Sequence, residues 1–467
     1  MFVKQLYTNC LSEAAYYIES DGEAAIIDPI RDTDEYIKLA SERKTKIKYI
    51  LETHFHADFV SGHIDLAEQT GASIVYGPGA DPGYRVYHAA DGEDLKVGKV
   101  SLRVLHTPGH TLESSCYLLS DEAGTPYALF TGDTLFVGDV GRPDLLDKNI
   151  KSTKEEMAEM LFESLQKIKS FPDEVIVYPA HGPGSACGKN IGKETWSTIG
   201  IQKKTNYALQ FSSREEFVKN LTQGLLSPPG YFFEDARINK NGYDKLAAVM
   251  KKNMRALSVK DFCDKKKSGA MILDTRIPDV FEKGFVPESL NIGLNGTFAV
   301  WAGTLVDIKT PLILVSEPGK EEESVLRLAR VGYECVSGYL EGGIKSWIEA
   351  GNPVDTISSV DAGQFCALIN QPGKNILDVR KLSEAEAGHV KGAFNLPLSE
   401  LSHQIEQLDK NKEYMVYCAG GYRSMIACSI LRARGFKNLT NVYGGFGKIK
   451  DSAAPLVQGV PGNFICS

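Results

Sequence analysis

The sequence predicts a layered α/β protein in three parts, a larger first segment followed by two smaller units that repeat each other. Two observations carry this. Short apolar runs of strand character mix with helix-like runs through residues 1–245, the pattern of sheets covered by helices. Beyond them, Met271-Ile272-Leu273-Asp274-Thr275-Arg276 is echoed by Ile376-Leu377-Asp378-Val379-Arg380, an internal repeat of domain size.

Taken in order, Ala24–Asp28 and Ile47–Leu51 are expected strands, with a helix over Asp34–Arg43 between them. Val100–Leu105, Ser115–Leu119, Tyr127–Thr131 and Val175–Tyr178 add strands, and Lys154–Ile168 a helix. Each repeat continues with a glycine-containing turn and an asparagine, Gly284 to Asn291 and then Gly388 to Asn395. Each later supplies a buried strand, Pro311–Ser316 and Tyr414–Cys418, a helical run, and a glycine pair at Gly342-Gly343 or Gly444-Gly445. Domains are expected at 1–245, 257–352 and 357–455, with Gly351-Asn352-Pro353 as a hinge.

A chain of 467 residues is too long for one core. Its hydrophobic content of 43% is that of an ordinary globular protein, and a net charge of -8 argues against nucleic acid or an anionic membrane as partner. The start of the chain, Met1-Phe2-Val3-Lys4-Gln5, does not read as a leader, and no apolar stretch is long enough to span a bilayer. A cytoplasmic location is expected. Nine scattered cysteines suggest thiols rather than a disulfide framework.

Chemistry concentrates at the ends of the expected strands. His54 and His56 lie in Thr53-His54-Phe55-His56-Ala57-Asp58-Phe59, just after one strand. His110 lies in a tight turn, Asp133 at another strand end, and His181 after a third. Singly, each reads as a surface or hydrogen-bonding group. Together, imidazoles and carboxylates ending strand after strand are the nitrogen and oxygen donors of a metal site.

This pattern resembles the metallo-β-lactamase fold, whose signature is His-x-His-x-Asp-His followed by distant His, Asp and His. The resemblance covers residues 1–240 and implies an αββα sandwich. By that family's pattern His54, His56 and His110 supply one metal. Asp58, residue 59 and His181 supply a second, with Asp133 between them. Phe59 cannot donate to a metal, so the second position loses a ligand.

Two imidazoles and one carboxylate suit ferrous iron with positions left open. The resemblance to the sulfur dioxygenase branch implies His54, His110 and Asp133 as ligands of one Fe(II) per chain, with zinc as the alternative metal. His56, Asp58 and His181 would then orient ligands and tune proton transfer. The stretch Gly141-Arg142-Pro143-Asp144 resembles the persulfide dioxygenase loop. Arg142 there can position a substrate carboxylate, pair with Asp144 to hold the loop, or do both. Cys187, six residues after His181, is either an inert loop thiol or a sulfur relay, with Lys189 placed to favour a thiolate.

In the last segment a strand ends at Cys418, and Ala419-Gly420-Gly421-Tyr422-Arg423-Ser424 turns into a helical run, Met425–Arg434. Such a loop can aim N–H groups at one sulfur, and with the helix N-terminus and Arg423 it favours an anion. It resembles the rhodanese catalytic loop, implying catalytic Cys418 and Arg423 and substrate binding by Gly420, Gly421, Tyr422 and Ser424. Cys428 reads as core. The middle unit offers Ser316-Glu317-Pro318-Gly319-Lys320 in place of that loop and reads as inactive.

The whole resembles a persulfide dioxygenase–sulfurtransferase fusion. That implies oxidation of a low-molecular-weight thiol persulfide, such as glutathione persulfide or coenzyme A persulfide, by O2 to sulfite and thiol. It also implies formation of thiosulfate through a Cys418 persulfide. A homo-oligomer is expected, with the middle unit a candidate interface. The alternatives are a dinuclear zinc thioesterase related to glyoxalase II, and a sulfur-trafficking protein without dioxygenase activity.

Overall fold

The computed structural model describes residues 1–145, 152–225, 227–369 and 371–462. It divides into two compact units, Met1–Val249 with Leu328–Tyr333, and Met250–Arg327 with Glu334–Ser467.

The first unit holds two six-stranded sheets. One runs in chain order from β1 (Phe2–Thr8) through β2 (Glu13–Ser20), β3 (Glu23–Ile27), β4 (Lys46–Leu51) and β5 (Ser73–Tyr76) to β6 (Tyr87–His88). The other has the order β12-β11-β10-β9-β8-β7, formed by β7 (Asp94–Val97), β8 (Val100–His106), β9 (Ser115–Ser120), β10 (Pro126–Gly132), β11 (Ile176–Pro179) and β12 (Ser197–Thr198). The sheets bury one core between them, in which Tyr16, Ile18, Ile27 and Val75 meet Val100, Leu102, Val104, Tyr117, Leu119 and Phe130.

Alternation along the strands explains the layering. In β9, Tyr117 and Leu119 enter that core, whereas Cys116 and Leu118 face a second core shared with Leu161, Leu165 and Ile168. Successive strand residues point to opposite faces, so one strand serves both layers. The helix Lys154–Lys169 supplies the outer partners through Met157, Leu161, Leu165 and Ile168, one face at helical spacing. Thr153 starts it with a reciprocal cap, accepting from the Glu156 N–H at 3.1 Å while its own N–H donates to Glu156 Oε2 at 2.8 Å.

The expected strands and helices of this unit are present within a residue or two at their ends. Strands β1, β2, β5, β6, β7 and β12 are additional. Strand β2 is buried on nearly every residue, so it lacks the alternation that marks a strand in sequence.

The second unit carries two parallel sheets of like design. The first has the order β13-β17-β16-β14-β15, from β13 (Ala256–Leu257), β14 (Met271–Asp274), β15 (Leu290–Asn291), β16 (Leu312–Val315) and β17 (Val336–Leu340). The second has the order β18-β23-β22-β19-β21. It is formed by β18 (Ser358–Val360), β19 (Lys374–Asp378), β21 (Phe394–Asn395), β22 (Glu413–Tyr417) and β23 (Leu439–Val442), while β20 (His389–Val390) pairs with β24 (Leu456–Val457).

The repeated motif has one physical purpose in both sheets. Arg276 pairs with Asp274 at 2.6 Å, and Asn291 Nδ2 donates to the carbonyls of Asp274 and Arg276 at 3.0 and 2.9 Å. Arg380 pairs with Asp378 at 2.6 Å, and Asn395 Nδ2 donates to the carbonyls of Asp378 and Arg380, both at 2.9 Å. The asparagine thus satisfies carbonyls left where a parallel strand ends.

The expected hinge at Gly351-Asn352-Pro353 is tied down instead. Trp347 Nε1 donates to the Pro353 carbonyl at 2.8 Å, and just beyond it Phe285 and Asp355 exchange backbone hydrogen bonds. Among the described residues the cysteines are free thiols, and no helix is long and apolar enough to cross a membrane.

Candidate metal centre and sulfur cradle

The cluster of the first unit lies where β3, β4, β8, β10 and β11 end. Asp28 follows β3 and holds the next segment in place, accepting from the Thr53 N–H at 2.7 Å and the Thr53 hydroxyl at 2.8 Å. That aims His54 and His56 inward. Donor atoms of His54, His110 and Asp133 lie within 4.8 Å of one another, and all three residues are buried. His110 Nε2 is 3.4 Å and His54 Nε2 4.0 Å from Asp133 Oδ2.

A second grouping adjoins the first through Asp133. His181 Nε2 is 3.4 Å from Asp58 Oδ2 and 3.4 Å from Asp133 Oδ1. His56 lies within 4.8 Å of Asp58 and His181, and Cys187 within 4.8 Å of Asp133 and His181. His56 also reaches below the cavity, its Nε2 3.1 Å from Asp28 Oδ1.

These residues fit a metal. His110 Nε2, His181 Nε2, Asp58 Oδ1 and both oxygens of Asp133 are buried without a protein hydrogen-bond partner. An unpartnered buried carboxylate costs several kcal/mol, roughly, unless a cation joins it. The outer nitrogens are engaged as ligand histidines require: His110 Nδ1 is 2.9 Å from the Arg142 carbonyl and His181 Nδ1 3.1 Å from the Ser12 carbonyl. Burial, with His56 and His110 beside it, drives the His54 pKa well down and keeps its imidazole neutral. At His181 burial pulls the same way, but Asp58 and Asp133 outweigh it and raise the pKa.

Phe59 stands beside this second grouping, fully buried, its ring centroid 4.4 Å from that of His56. It packs where the family pattern has a donor. The stretch is clamped from afar by Asn239, whose Nδ2 donates to the carbonyls of His56 and Phe59 at 2.7 Å each. Its Oδ1 accepts from the Ser61 N–H at 2.9 Å. Nothing in the sequence marks Asn239, because its partners lie about 180 residues away and no motif links them.

Arg142 pairs with Asp144, one of the two roles expected of it. Nε and Nη2 donate to Asp144 at 2.7 and 2.8 Å, and Nη1 to the Ala186 carbonyl at 3.3 Å. Its backbone does more than its charge, orienting His110 through the carbonyl and donating its N–H to the Cys187 carbonyl at 3.0 Å. Gly141 permits this. A Cβ there would lie 2.0 Å from the Asp133 carbonyl oxygen and 2.9 Å from His110 Nδ1.

Lys189 does not favour a thiolate at Cys187. Its ammonium donates to the carbonyls of Asn220 and Gln223 at 2.8 and 2.6 Å. Burial, then Asp58 and Asp133, push the Cys187 thiol well above its ordinary pKa. Burial first, and then carboxylates brought in by the fold, govern this thiol rather than the residue two positions away.

In the second unit, Cys418 follows β22 and is buried. Gly421, with φ of 99°, starts the helix Tyr422–Ala433, and its N–H donates to Cys418 Sγ at 3.1 Å. Gly445 closes over the loop, since a Cβ there would lie 2.2 Å from the Cys418 carbonyl oxygen. Arg423 is held by Glu384 at 2.7 and 2.8 Å, a partner that no motif in the sequence marks. Burial works against that guanidinium cation, but Glu384 overcomes it and raises its pKa.

Not every expected loop side chain faces the sulfur. The Ser424 hydroxyl donates to Asn441 Oδ1 at 2.6 Å, and the Tyr422 hydroxyl to the Gly293 carbonyl at 2.7 Å. Both are spent on holding the loop. No Cβ at Gly420 would meet a neighbour, so that side of the loop is open. Cys428 is buried in the helix as core, its thiol pKa raised by burial.

Register aligns the middle sheet with the last. Asp274 pairs with Val315 as Asp378 pairs with Tyr417, which puts Ser316 in the place of Cys418. The Ser316 oxygen accepts from the Thr275 hydroxyl at 2.9 Å, and Ser324 lies 3.2 Å away.

Comparison with known proteins gives a Metallo-beta-lactamase superfamily match over residues 8–181 and Rhodanese-like domain matches over 257–350 and 361–452. The cytoplasmic hydroxyacylglutathione hydrolase of Arabidopsis thaliana is 33% identical over 184 residues, 38% of this chain and 67% of that one. The mitochondrial persulfide dioxygenase ETHE1 of Bos taurus is 30% identical over 214 residues, 44% of this chain and 74% of that one. The chain spans 57% to 68% of the length of the hydroxyacylglutathione hydrolases it matches. Among solved structures, a metallo-beta-lactamase from Staphylococcus aureus subsp. aureus COL is 35% identical, with a TM-score of 0.66 over 72% of this chain and 98% of that one. Through its first domain the chain belongs to the metallo-β-lactamase superfamily; two rhodanese-like domains follow that domain, and persulfide dioxygenase ETHE1 is among its homologues.

Proposed function

We propose that the first domain is a one-iron persulfide dioxygenase and that the last is a sulfurtransferase acting through Cys418. The observation that carries this reading is the Phe59 ring beside His56, next to a buried grouping of two imidazoles and one carboxylate. In this reading His54, His110 and Asp133 hold Fe(II). When bound, ferrous iron supplies open positions where a thiol persulfide and O2 can react. The balance is RSSH + O2 + H2O giving RSH, sulfite and protons.

The chain's own groups prepare that site. The carbonyls of Arg142 and Ser12 fix the rings of His110 and His181. Phe59 packs on His56, and the Phe136 ring lies 6.0 Å from His181, which puts apolar surface beside the donors. His56, Asp58 and His181 orient the cavity and carry protons. Arg142, tied to Asp144, shapes the loop around the thiol substrate.

Cys418 takes the outer sulfur of a thiol persulfide, whose S–S bond breaks to release the free thiol. The resulting Cys418–S–SH passes that sulfur to sulfite, which leaves as thiosulfate and restores the Cys418 thiol. The Gly421 N–H and Arg423 stabilise the sulfur anion. Glutathione persulfide or coenzyme A persulfide is the substrate class, and the working form is a cytoplasmic homo-oligomer. The middle domain, with Ser316 in the cysteine position, is inactive in this reading.

A zinc thioesterase is the second reading, favoured by the similarity to hydroxyacylglutathione hydrolases. Anaerobic iron loading followed by O2 uptake on adding glutathione persulfide separates the two. One iron per chain, with uptake lost in His110→Ala, supports the dioxygenase. Two zincs with thiolester cleavage and no uptake support the hydrolase.

A further inference from the structure

The loop that carries Cys418 is held from outside its own domain. Tyr422, the residue after Gly421, reaches the middle domain, where its hydroxyl donates to the Gly293 carbonyl at 2.7 Å. Its ring sits over Gly296, at which a Cβ would lie 2.5 Å from Tyr422 Cζ. No unusual backbone angle asks for glycine at 296, so what the contact uses is the room for the ring. The stretch is also long. Residues 292–297 separate β15 from the helix Phe298–Leu305, whereas 396 and 397 alone separate β21 from the helix Leu398–Gln404. The middle domain thus has extra chain where the Cys418 loop meets it.

A second tether reaches the same loop. Ser424 Oγ lies 3.0 Å from the Gly421 carbonyl, and its hydroxyl donates to Asn441 Oδ1 at 2.6 Å. Asn441 Nδ2 donates to Ser359 Oγ at 3.2 Å, and the Ser359 hydroxyl donates to Glu282 Oε2. Glu282 belongs to the middle domain, is buried, and accepts on its other oxygen from the Tyr443 hydroxyl. Farther along the same helix, the Asn291 N–H donates to Ser429 Oγ at 3.0 Å.

Tyr422 and Ser424 bracket Arg423 and follow directly on Gly421, whose N–H donates to Cys418 Sγ at 3.1 Å. We propose that the middle domain is a working part of the sulfur-transfer site. Through Tyr422 and Ser424 it positions the Gly421 N–H and Arg423 around the Cys418 sulfur. Gly293, Gly296 and Glu282 act only through those two side chains, as positioning residues. Aim matters here, since a displacement of about 1 Å at such a site costs up to about a hundredfold in rate. The proposal rests on the reading of Cys418 as the sulfur carrier, and it gives the domain that has Ser316 in the cysteine position a role in the neighbouring chemistry.

The test uses the full chain and two readouts. Thiocyanate formation from thiosulfate and cyanide gives the rate of sulfur transfer, and hydrogen exchange followed by mass spectrometry gives the protection of residues 419–424. Gly296→Ala should lower kcat/KM by about tenfold and raise exchange across the loop, with circular dichroism unchanged. In a Tyr422→Leu background, which removes the ring and the clash, the same change should cost less than about twofold. Glu282→Ala should lower transfer about fivefold and raise exchange, and Glu282→Gln, which keeps an acceptor, should restore most of both. A Gly296→Ala loss that persists undiminished beside Tyr422→Leu is general destabilisation and overturns the proposal. So do unchanged transfer and exchange in Gly296→Ala and Glu282→Ala. If Gly296→Ala does not fold, equal losses in Glu282→Ala and Glu282→Gln overturn it instead. A wild-type chain that transfers no sulfur sinks the Cys418 reading separately, and loop exchange then still decides whether the middle domain holds the loop.

Discussion

His110 Nδ1 lies 2.9 Å from the carbonyl oxygen of Arg142, so the loop that follows Asp133 sets the angle of a proposed iron ligand. The contact is made by backbone, and side-chain changes at position 142 leave it in place. Gly141→Ala does not, because its methyl group would collide with the Asp133 carbonyl and His110. Iron affinity should fall by about 10–100-fold, the usual cost of misdirecting a ligand. Anaerobic iron titration with circular dichroism checks this.

Phe59 has no exposed surface and packs on His56. Phe59→Ala should destabilise the first domain by about 3–5 kcal/mol, the range for deleting a buried aromatic ring. Urea unfolding of the metal-free chain reads it directly.

Asn239→Leu would leave the carbonyls of His56 and Phe59 and the N–H of Ser61 without partners. Each such group costs about 1–3 kcal/mol, so a loss of at least about 3 kcal/mol is expected together with weaker metal binding. Asn239→Asp keeps the acceptor for Ser61 and should lose less in urea unfolding.

Glu52 and His63 are both buried, 3.4 Å apart, and give the fold a pH signature. Burial and Asp28 hold Glu52 well above its ordinary 4.5. Burial and His56 bring His63 from 6.5 down to about 3. The folded pair therefore carries one proton. Between pH 4.5 and 6.5 the unfolded pair also carries one, so this pair adds no slope there. Above 6.5 the unfolded state carries none, and stability falls as pH rises for as long as folded Glu52 keeps its proton. Between 4.5 and about 3 the unfolded state carries two, and stability falls as pH drops. Each arm has a slope of about 1.4 kcal/mol per pH unit. The difference in urea-unfolding free energy between wild type and Glu52→Gln/His63→Gln should trace this plateau.

Arg423→Ala should lower kcat/KM for sulfur transfer from thiosulfate by about 10²-fold, as loss of one anion-stabilising group does. Glu384→Ala should lower it less, since the cation survives but loses the carboxylate that aims it. Neither change should alter oxygen uptake. Cyanide-linked thiocyanate formation and an oxygen electrode measure the two.

The helix Lys154–Lys169 was legible because its buried face repeats at helical spacing. Strand β9, buried on both faces, shows only as the short apolar run Cys116–Leu119. Strand β2, also buried on both faces, is flanked by Glu13, Glu19 and Ser20 and did not stand out. At the site, His54, His110, Asp133, His181 and Cys418 were readable because ligands and loop thiols follow strands in recognisable short motifs. Their supports were not. Asn239 and Glu384 each act on residues far away in sequence, and Ser12 acts through a carbonyl that every residue possesses. Lys189 misled for the converse reason, being near Cys187 in sequence while bonded elsewhere.

The clamp on the His54–Ser61 stretch also has a consequence for the newborn chain. Ser12, which fixes His181, is made early, whereas Asn239 is made long after every proposed ligand. A ribosome that has released all the donors has still not released the residue that seats two of their backbone carbonyls. The cavity therefore has no finished early form, and metal capture belongs to the completed domain rather than to the growing polypeptide.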